Sequence, residues 1–261
     1  MKPEYDDPAQ APMPHMERMP ADHEPGMYLD HLAQEVAQQR AEALHSQGVA
    51  PEERDIFLVG EPDFARWHGY YFQRLGALER ISLGVYIRAG KSPQERDACI
   101  RKHAVRIAQY LYPDTVLTGA SAVHLGVVDG TLHLARATER LPRPRSIGGV
   151  FTIYHSRIRL ESGRGIPQDN VTLQDPGGLV RARVVKDMVL LLTEICQPQR
   201  KSVNSCPVTL SPSDREYVIR RYVEASGGIE TALEKLERNA LAMGLRYNRE
   251  MVRDLVKLHL E

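Results

Sequence analysis

Apolar positions along this chain change their period several times, and each change marks an element. From Asp30 to His45 the anchors Leu32, Val36 and Leu44 are sparse and fit a helix that ends before Gly48. Pro51 starts a short helical piece through Leu58. Phe64, Trp67, Tyr71 and Leu75 then recur at offsets of 0, 3, 7 and 11. That spacing predicts a third helix over Asp63–Leu75, with these four residues inward and Arg66, Tyr70 and Gln73 on the opposite side. After Gly76, ALERI and VYIRA read as two short strands around Ser82-Leu83-Gly84, a loop with the glycine that a tight hairpin wants.

Residues 94–112 read as one amphipathic helix, with Ile100, His103, Val105, Ile107 and Leu111 inward and Pro113 as its stop. Residues 115–135 predict a short buried element and then a hairpin, because Asp129-Gly130 sits between Val127-Val128 and Thr131-Leu132. LPRPR at 141–145 reads as a stiff basic connector, and the β-branched, aromatic run at 150–160 as a strand. Residues 161–178, with four glycines and two prolines, read as loop. Leu179–Ile195 reads as a helix on the spacing of Leu179, Val180, Val184, Met188, Leu191, Leu192 and Ile195. Ser211-Pro212-Ser213-Asp214 is a helix start, with a capping serine, an early proline and an acid near the positive end of the dipole. That helix ends at Gly227-Gly228; two more follow over 229–243 and 248–260, the last capped by Asn248.

Composition adds three constraints. No apolar run reaches the roughly 18 residues that a membrane helix needs. The acidic, proline-bearing start does not read as a secretory signal, and none is expected. Cys99, Cys196 and Cys206 are too few and too scattered for a disulfide framework or a thiolate zinc site, which suits a reducing cytoplasmic setting. The zero net charge conceals an asymmetry. Residues 1–60 hold 4 basic and 12 acidic side chains, whereas residues 61–160 hold 15 basic and 8 acidic. A basic middle reads either as a solvated face or as a nucleic-acid surface. Residues 1–26, proline-rich and without apolar periodicity, read as a disordered tail.

The search for catalytic chemistry yields little. Ser121 in TGASAVHLG lacks the G-x-S-x-G elbow; His124 follows three residues later, and no acid that would orient it is identifiable. Ser121 as a cap of a short helix is the simpler reading. His124, His133 and His155 fall on neighbouring elements and invite a convergent metal site, but without a ligand motif. The glycine pairs at 148–149 and 177–178 and the GRG at 163–165 match no phosphate-loop pattern; only Gly177-Gly178 precedes a predicted helix. Carboxylates such as Glu234 and Glu237 have basic neighbours three or four residues away and read as solvated pairs. The expectation is therefore no enzyme, no cofactor and no metal. What remains is the order of three short helices and a hairpin, that of a winged helix-turn-helix. Arg66, Tyr70, Gln73 and Arg74 on the helix, with Arg80 and Arg88 on the hairpin, are its candidate DNA-binding residues.

FQRLGALERISLGVYIRAG, with Leu75, Leu78, Arg80, Ile81, Gly84, Val85 and Tyr86 at its marked positions, resembles the end of the winged-helix region in AbiEi-family antitoxins of type IV toxin-antitoxin systems. Pro113, Gly119, Ser121 and Ala122 resemble the family's following passage, with Thr118 where a serine is usual; VTLQDPGGLVRARVVKDMVLLL resembles a strand leading into a helix of the same domain. The C-terminal run from Glu230 to Leu258 is similar to the segment after AbiEi-like domains in some Fic- and HipA-associated proteins.

The resemblance implies an α+β chain. A tail (1–26) precedes a winged-helix domain (27–92), a small mixed α/β domain (93–198) and C-terminal helices (199–261). It implies a cytoplasmic, non-enzymatic transcriptional regulator that binds operator duplex DNA and neutralises a cognate toxin. The alternative is a module that docks on a Fic- or HipA-type effector without binding DNA. No membrane partner is expected, and the oligomeric state stays open. Deleting residues 1–26 is expected to leave the thermal midpoint unchanged, because the segment cannot bury enough apolar surface to offset its ordering entropy. A fall of more than about 5 °C in a melting curve, over about 1 kcal/mol, would contradict the tail reading.

Overall fold

The computed structural model describes residues 54–136, 141–157, 171–174, 182–196, 210–242 and 247–260, with helical positions Glu35, Val36, Gln38, Gln39 and Glu42. The expected tail, most of the 30–45 helix, Leu179, Val180 and the glycines at 163–165 and 177–178 lie outside the described residues. Among the described residues, α and β elements mix around two sheets.

The first sheet has three short antiparallel strands, β1 (Ile56–Leu58), β2 (Leu78–Ser82) and β3 (Val85–Arg88), in the order β1-β3-β2. Residues 56–58 are thus a strand, not the end of a helix. Their side chains explain it: Ile56 and Leu58 enter one core while Phe57 enters another, a period of two that a helix cannot satisfy. The hairpin forms where expected, with Gly84 at φ +71° in its turn. Helix α1 (Arg66–Arg74) covers one face of this sheet through Phe72, with Phe64 just before it and Ala77 after it, against Phe57, Leu78 and Tyr86.

The other face carries Ile56, Leu58, Ile81, Val85 and Ile87, and it packs on the helices that follow. The expected single helix is two, α2 (Pro93–Lys102) and α3 (Ala104–Leu111), joined at His103. Ser92 and Glu95 cap α2 reciprocally: Ser92 N–H donates to Glu95 Oε2 at 2.9 Å and Glu95 N–H to Ser92 Oγ at 3.3 Å. Ile100, His103, Val105 and Ile107 are buried as the pattern predicts, and Leu111 is half-buried.

The second sheet has six strands in the order β6-β7-β5-β4-β9-β8. They are β4 (Val116–Leu117), β5 (Thr131–Arg136), β6 (Arg145–Ile147), β7 (Phe151–Arg157), β8 (Val171–Gln174) and β9 (Ala182–Val185). β5–β7 and β4–β9 pair in parallel, the other neighbours antiparallel. Two expectations change here. Residues 171–174 are strand rather than loop, and 182–185 are strand rather than helix. Ala182, Val184 and Val185 are buried in a strand paired on both sides, so β-branched packing overrides the helical spacing. The Asp129-Gly130 turn forms, with both φ positive, but it closes only a single Val128–Thr131 bridge.

Helix α4 (Gly119–His124) follows β4, and α5 (Asp187–Cys196) follows β9. Helices α6 (Pro212–Ser226), α7 (Ile229–Ala242) and α8 (Arg249–Leu258) begin and end as the capping signals predict. Ser211 Oγ accepts from Asp214 N–H at 3.1 Å, and Asn248 Oδ1 from Met251 N–H at 3.1 Å. Val218, Ile219, Leu233, Leu236, Val252 and Val256 join the same core as both sheets.

His155 on β7 is 1% exposed, with its ring edge-on to Tyr112 at 4.4 Å between centroids. Burial, helped by the charge of Arg136, pulls its pKa from 6.5 down to about 4. Above pH 6.5 both folded and unfolded chains hold this ring neutral. Between 6.5 and about 4 only the unfolded chain takes up the proton, so stability falls across that window. The loss is on the order of 3 kcal/mol. Urea titrations at a series of pH values are expected to show this acid limb in the native protein and to show it diminished in His155→Leu.

Candidate nucleic-acid interface

Helix α1 has no acidic residue in its first turn. His68 Nδ1 accepts from Ala65 N–H at 2.9 Å, satisfying one early backbone donor. The helix meets the sheet along Gly69 and Phe72, not along the 64–67–71–75 line. Phe64 is buried just before the helix, but Trp67 is 56% exposed, Tyr71 42% and Leu75 44%. The reason is local. Tyr86 on β3 lies under Gly69 so closely that a Cβ there would sit 2.5 Å from Tyr86 Cε2. The only residue that allows this approach is glycine, and it sets the face that turns inward.

Arg66, Tyr70, Gln73 and Arg74 are all exposed, as predicted, but they share the surface with Trp67 and Tyr71. Arg80 is exposed on β2 directly opposite Tyr86, on the sheet face that α1 covers. Arg80, Tyr70 and Arg66 gather around the Tyr86 phenol. Burial raises its pKa, Arg80 and Arg66 oppose that rise, and Tyr70 adds to it. Among the described residues, no carboxylate pairs with Arg66, Arg74 or Arg80. Arg54, Arg96, Arg106 and Arg221, by contrast, hold Glu61 and Asp63, Glu79, Glu61 and Asp187 respectively. Arg88 lies one step further along the same sheet face, opposite Leu78; it is half-buried, and its Nε is enclosed without a hydrogen-bond partner. Arg66, Tyr70 and Arg80 thus gather at Tyr86, Gln73 and Arg74 are exposed on the same helix as Arg66 and Tyr70, and Arg88 is half-buried at the end of β3. The sequence reading gave Tyr86 no site role and passed over Gly69, whose only signal is a glycine inside a helical pattern.

The hairpin is held rather than free. A Cβ on Gly84 would collide with the Tyr110 hydroxyl of α3, and Val59 N–H donates to Gly84 O at 2.9 Å. Leu83 alone projects from the turn.

The other candidates separate. His133 and His155 are one register step apart on paired strands, so they point to opposite faces of the sheet and do not converge. Ser121 is fully buried inside α4 and is not its cap; its Oγ accepts from His133 N–H at 2.9 Å. His124 does gain an acid, Asp214 Oδ1 at 2.7 Å from Nε2, but that pair ties α4 to the start of α6. Glu237 pairs with Arg249 of α8 at 3.2 Å, across helices rather than along one.

A second cluster lies behind the first sheet. Asp55, Cys99 and His103 each offer one ligating atom, all within 4.8 Å of one another. Burial works against ionisation of Asp55, but Lys91, Lys102 and His103 outweigh it and hold the carboxyl below its ordinary range. Burial lowers the His103 pKa and raises that of Cys99. The sequence shows Cys99 and His103 at a helical i, i+4 spacing; Asp55 arrives only through the fold.

No family model matches the chain, and no curated protein matches it. Gly69→Ala is expected to destabilise the fold by about 1–3 kcal/mol, the usual cost of overpacking. In a Tyr86→Leu background the same change should cost much less. Denaturant titrations of the double-mutant cycle measure the difference, and equal costs in both backgrounds would deny the contact its role.

Proposed function

We propose that the chain is an AbiEi-like antitoxin-type transcriptional regulator that binds operator duplex DNA through α1 and the β2–β3 hairpin. One observation supports this most. Among the described residues, Arg66, Arg74 and Arg80 are exposed without carboxylate partners, on the same stretch as Tyr70 and Gln73, in a basic part of an electrically neutral chain. Guanidinium groups that no acid among the described residues neutralises are available to phosphates and to base edges. In this reading Arg66 and Gln73 face bases, Tyr70 and Arg74 line the groove, Arg80 holds a flanking phosphate and Arg88 closes the edge.

A second reading draws on Trp67, Tyr71 and Leu75. Exposed aromatic and aliphatic side chains on one helix suit a protein partner. Such a surface would dock on a toxin, or on a Fic- or HipA-type effector, without DNA.

Fluorescence anisotropy with duplex from upstream of the chain's own gene, at about 0.1 M salt, separates the two. Arg66→Ala or Gln73→Ala is expected to relax sequence preference by about 1–3 kcal/mol. Arg80→Ala is expected to weaken all duplexes alike and to flatten the salt slope by about one unit. If the upstream duplex binds no more tightly than a scrambled one, the DNA reading fails and effector docking takes its place.

A further inference from the structure

We infer that Asp55, Cys99 and His103 form a binding site for one divalent transition-metal ion of the zinc class. The donor set is carboxylate oxygen, cysteine sulfur and imidazole nitrogen, the three ligand types that zinc takes in proteins. Three elements supply it: the residue before β1, the last turns of α2, and the joint between α2 and α3. Their ligating atoms all lie within 4.8 Å of one another, compact enough for bonds of about 2.0–2.3 Å to a common centre after small side-chain shifts.

His103 is the independent observation. It is 6% exposed, and neither ring nitrogen has a hydrogen-bond partner. Its nearest ionic neighbour, Asp55 Oδ2, lies 3.8 Å from Nε2, beyond hydrogen-bond reach. A buried imidazole with both nitrogens unsatisfied costs stability unless something occupies one of them. Cys99 is equally buried, with only a long contact of 3.8 Å from Sγ to the Asp55 carbonyl. Asp55 is the open member of the three and gives the entry path.

Two ammonium groups border the site. Lys91 Nζ lies 3.2 Å from Asp55 Oδ1 and Lys102 Nζ 3.5 Å from Oδ2. Lys102 is the more exposed, so the ion takes Oδ2, the oxygen that faces His103, by displacing Lys102 into solvent while Lys91 keeps Oδ1. Binding forms metal bonds to Sγ, to one His103 nitrogen and to Oδ2, and it releases the Cys99 proton to solvent; water completes the shell. The ion would fasten the start of β1 to the α2–α3 joint. This inference does not depend on the DNA reading.

Chelator-treated full-length protein titrated with Co2+ tests it. The expected result is one equivalent bound with a thiolate-to-cobalt charge-transfer band, displaced by Zn2+. The band should survive the double change Cys196→Ser, Cys206→Ser, and should vanish in Cys99→Ser and in His103→Ala. Zn2+ should raise the melting temperature of the native chain but not of Cys99→Ser. X-ray absorption on the zinc-loaded native protein needs no variant to fold, and should show one sulfur among nitrogen and oxygen donors. A charge-transfer band that persists in Cys99→Ser, or a zinc shell without sulfur, overturns the proposal.

Discussion

The first sheet is apolar on both faces, and everything around it follows from that. Twelve strand residues cannot form a core alone; β1 and β3 are buried along their length, apart from the last residue of β3. Phe57, Leu78 and Tyr86 require a cover on one side, and α1 supplies it. Ile56, Leu58, Ile81, Val85 and Ile87 require a cover on the other, and α2–α3 supply that. The sheet is therefore sandwiched between the helix that bears the open arginines and the helices that reach the second sheet. Polar contacts secure this junction. Arg96 of α2 forks onto Glu79 of β2, with Nη2 2.7 Å from Oε1, and donates to Gly148 O at 3.0 Å in the β6–β7 turn. Gly148 N–H in turn donates to Ile81 O at 3.2 Å. A side chain at Gly148 would collide with Ile100.

Much of this was legible in the sequence wherever local chemistry decides the outcome. Ser211, Asn248 and the glycines at 227–228 act over a few residues, and the C-terminal helices begin and end where these signals stand. The Gly84 hairpin and the Asp129-Gly130 turn are local in the same way. What was not legible depends on distant partners. Residues 56–58 and 182–185 are strands because they pair with β3 in the one case and with β4 and β8 in the other, and no neighbour in sequence announces that. The inward face of α1 was misread because a spacing rule counts large apolar residues. The sheet instead selects the residue with no side chain, Gly69, beside Phe72.

The candidate sites divide along the same line. The exposed set Arg66, Tyr70, Gln73, Arg74 and Arg80 was legible because each member sits on a predicted helix or strand, although exposed Trp67 and Tyr71 beside it were not expected. Arg88 differs because its place opposite Leu78 puts it at the covered edge of the sheet. Cys99 and His103 stand only four residues apart, but the sequence reading did not single them out, and their third partner lies more than forty residues earlier. The serine and histidine of TGASAVHLG show the converse. Proximity in sequence suggested a pair, but a short buried helix sends them apart, Ser121 to the backbone of β5 and His124 to Asp214.

Under the proposed DNA reading, rigidity is what would link this packing to recognition. A surface that reads an extended partner gains when its contacts are held in place before the encounter, because less ordering entropy is lost on binding. Here the helix and the hairpin rest on one sheet. Their spacing is set by the ring of Tyr86 against Gly69, and the hairpin turn is seated on Tyr110 of α3. Neither can move without disturbing a fully packed aromatic cluster in which Phe57, Phe64 and Tyr86 meet with ring centroids 5.3–5.9 Å apart. The exposed arginines thus project from a packed frame, so that in the proposed reading only their own side chains would remain to be ordered.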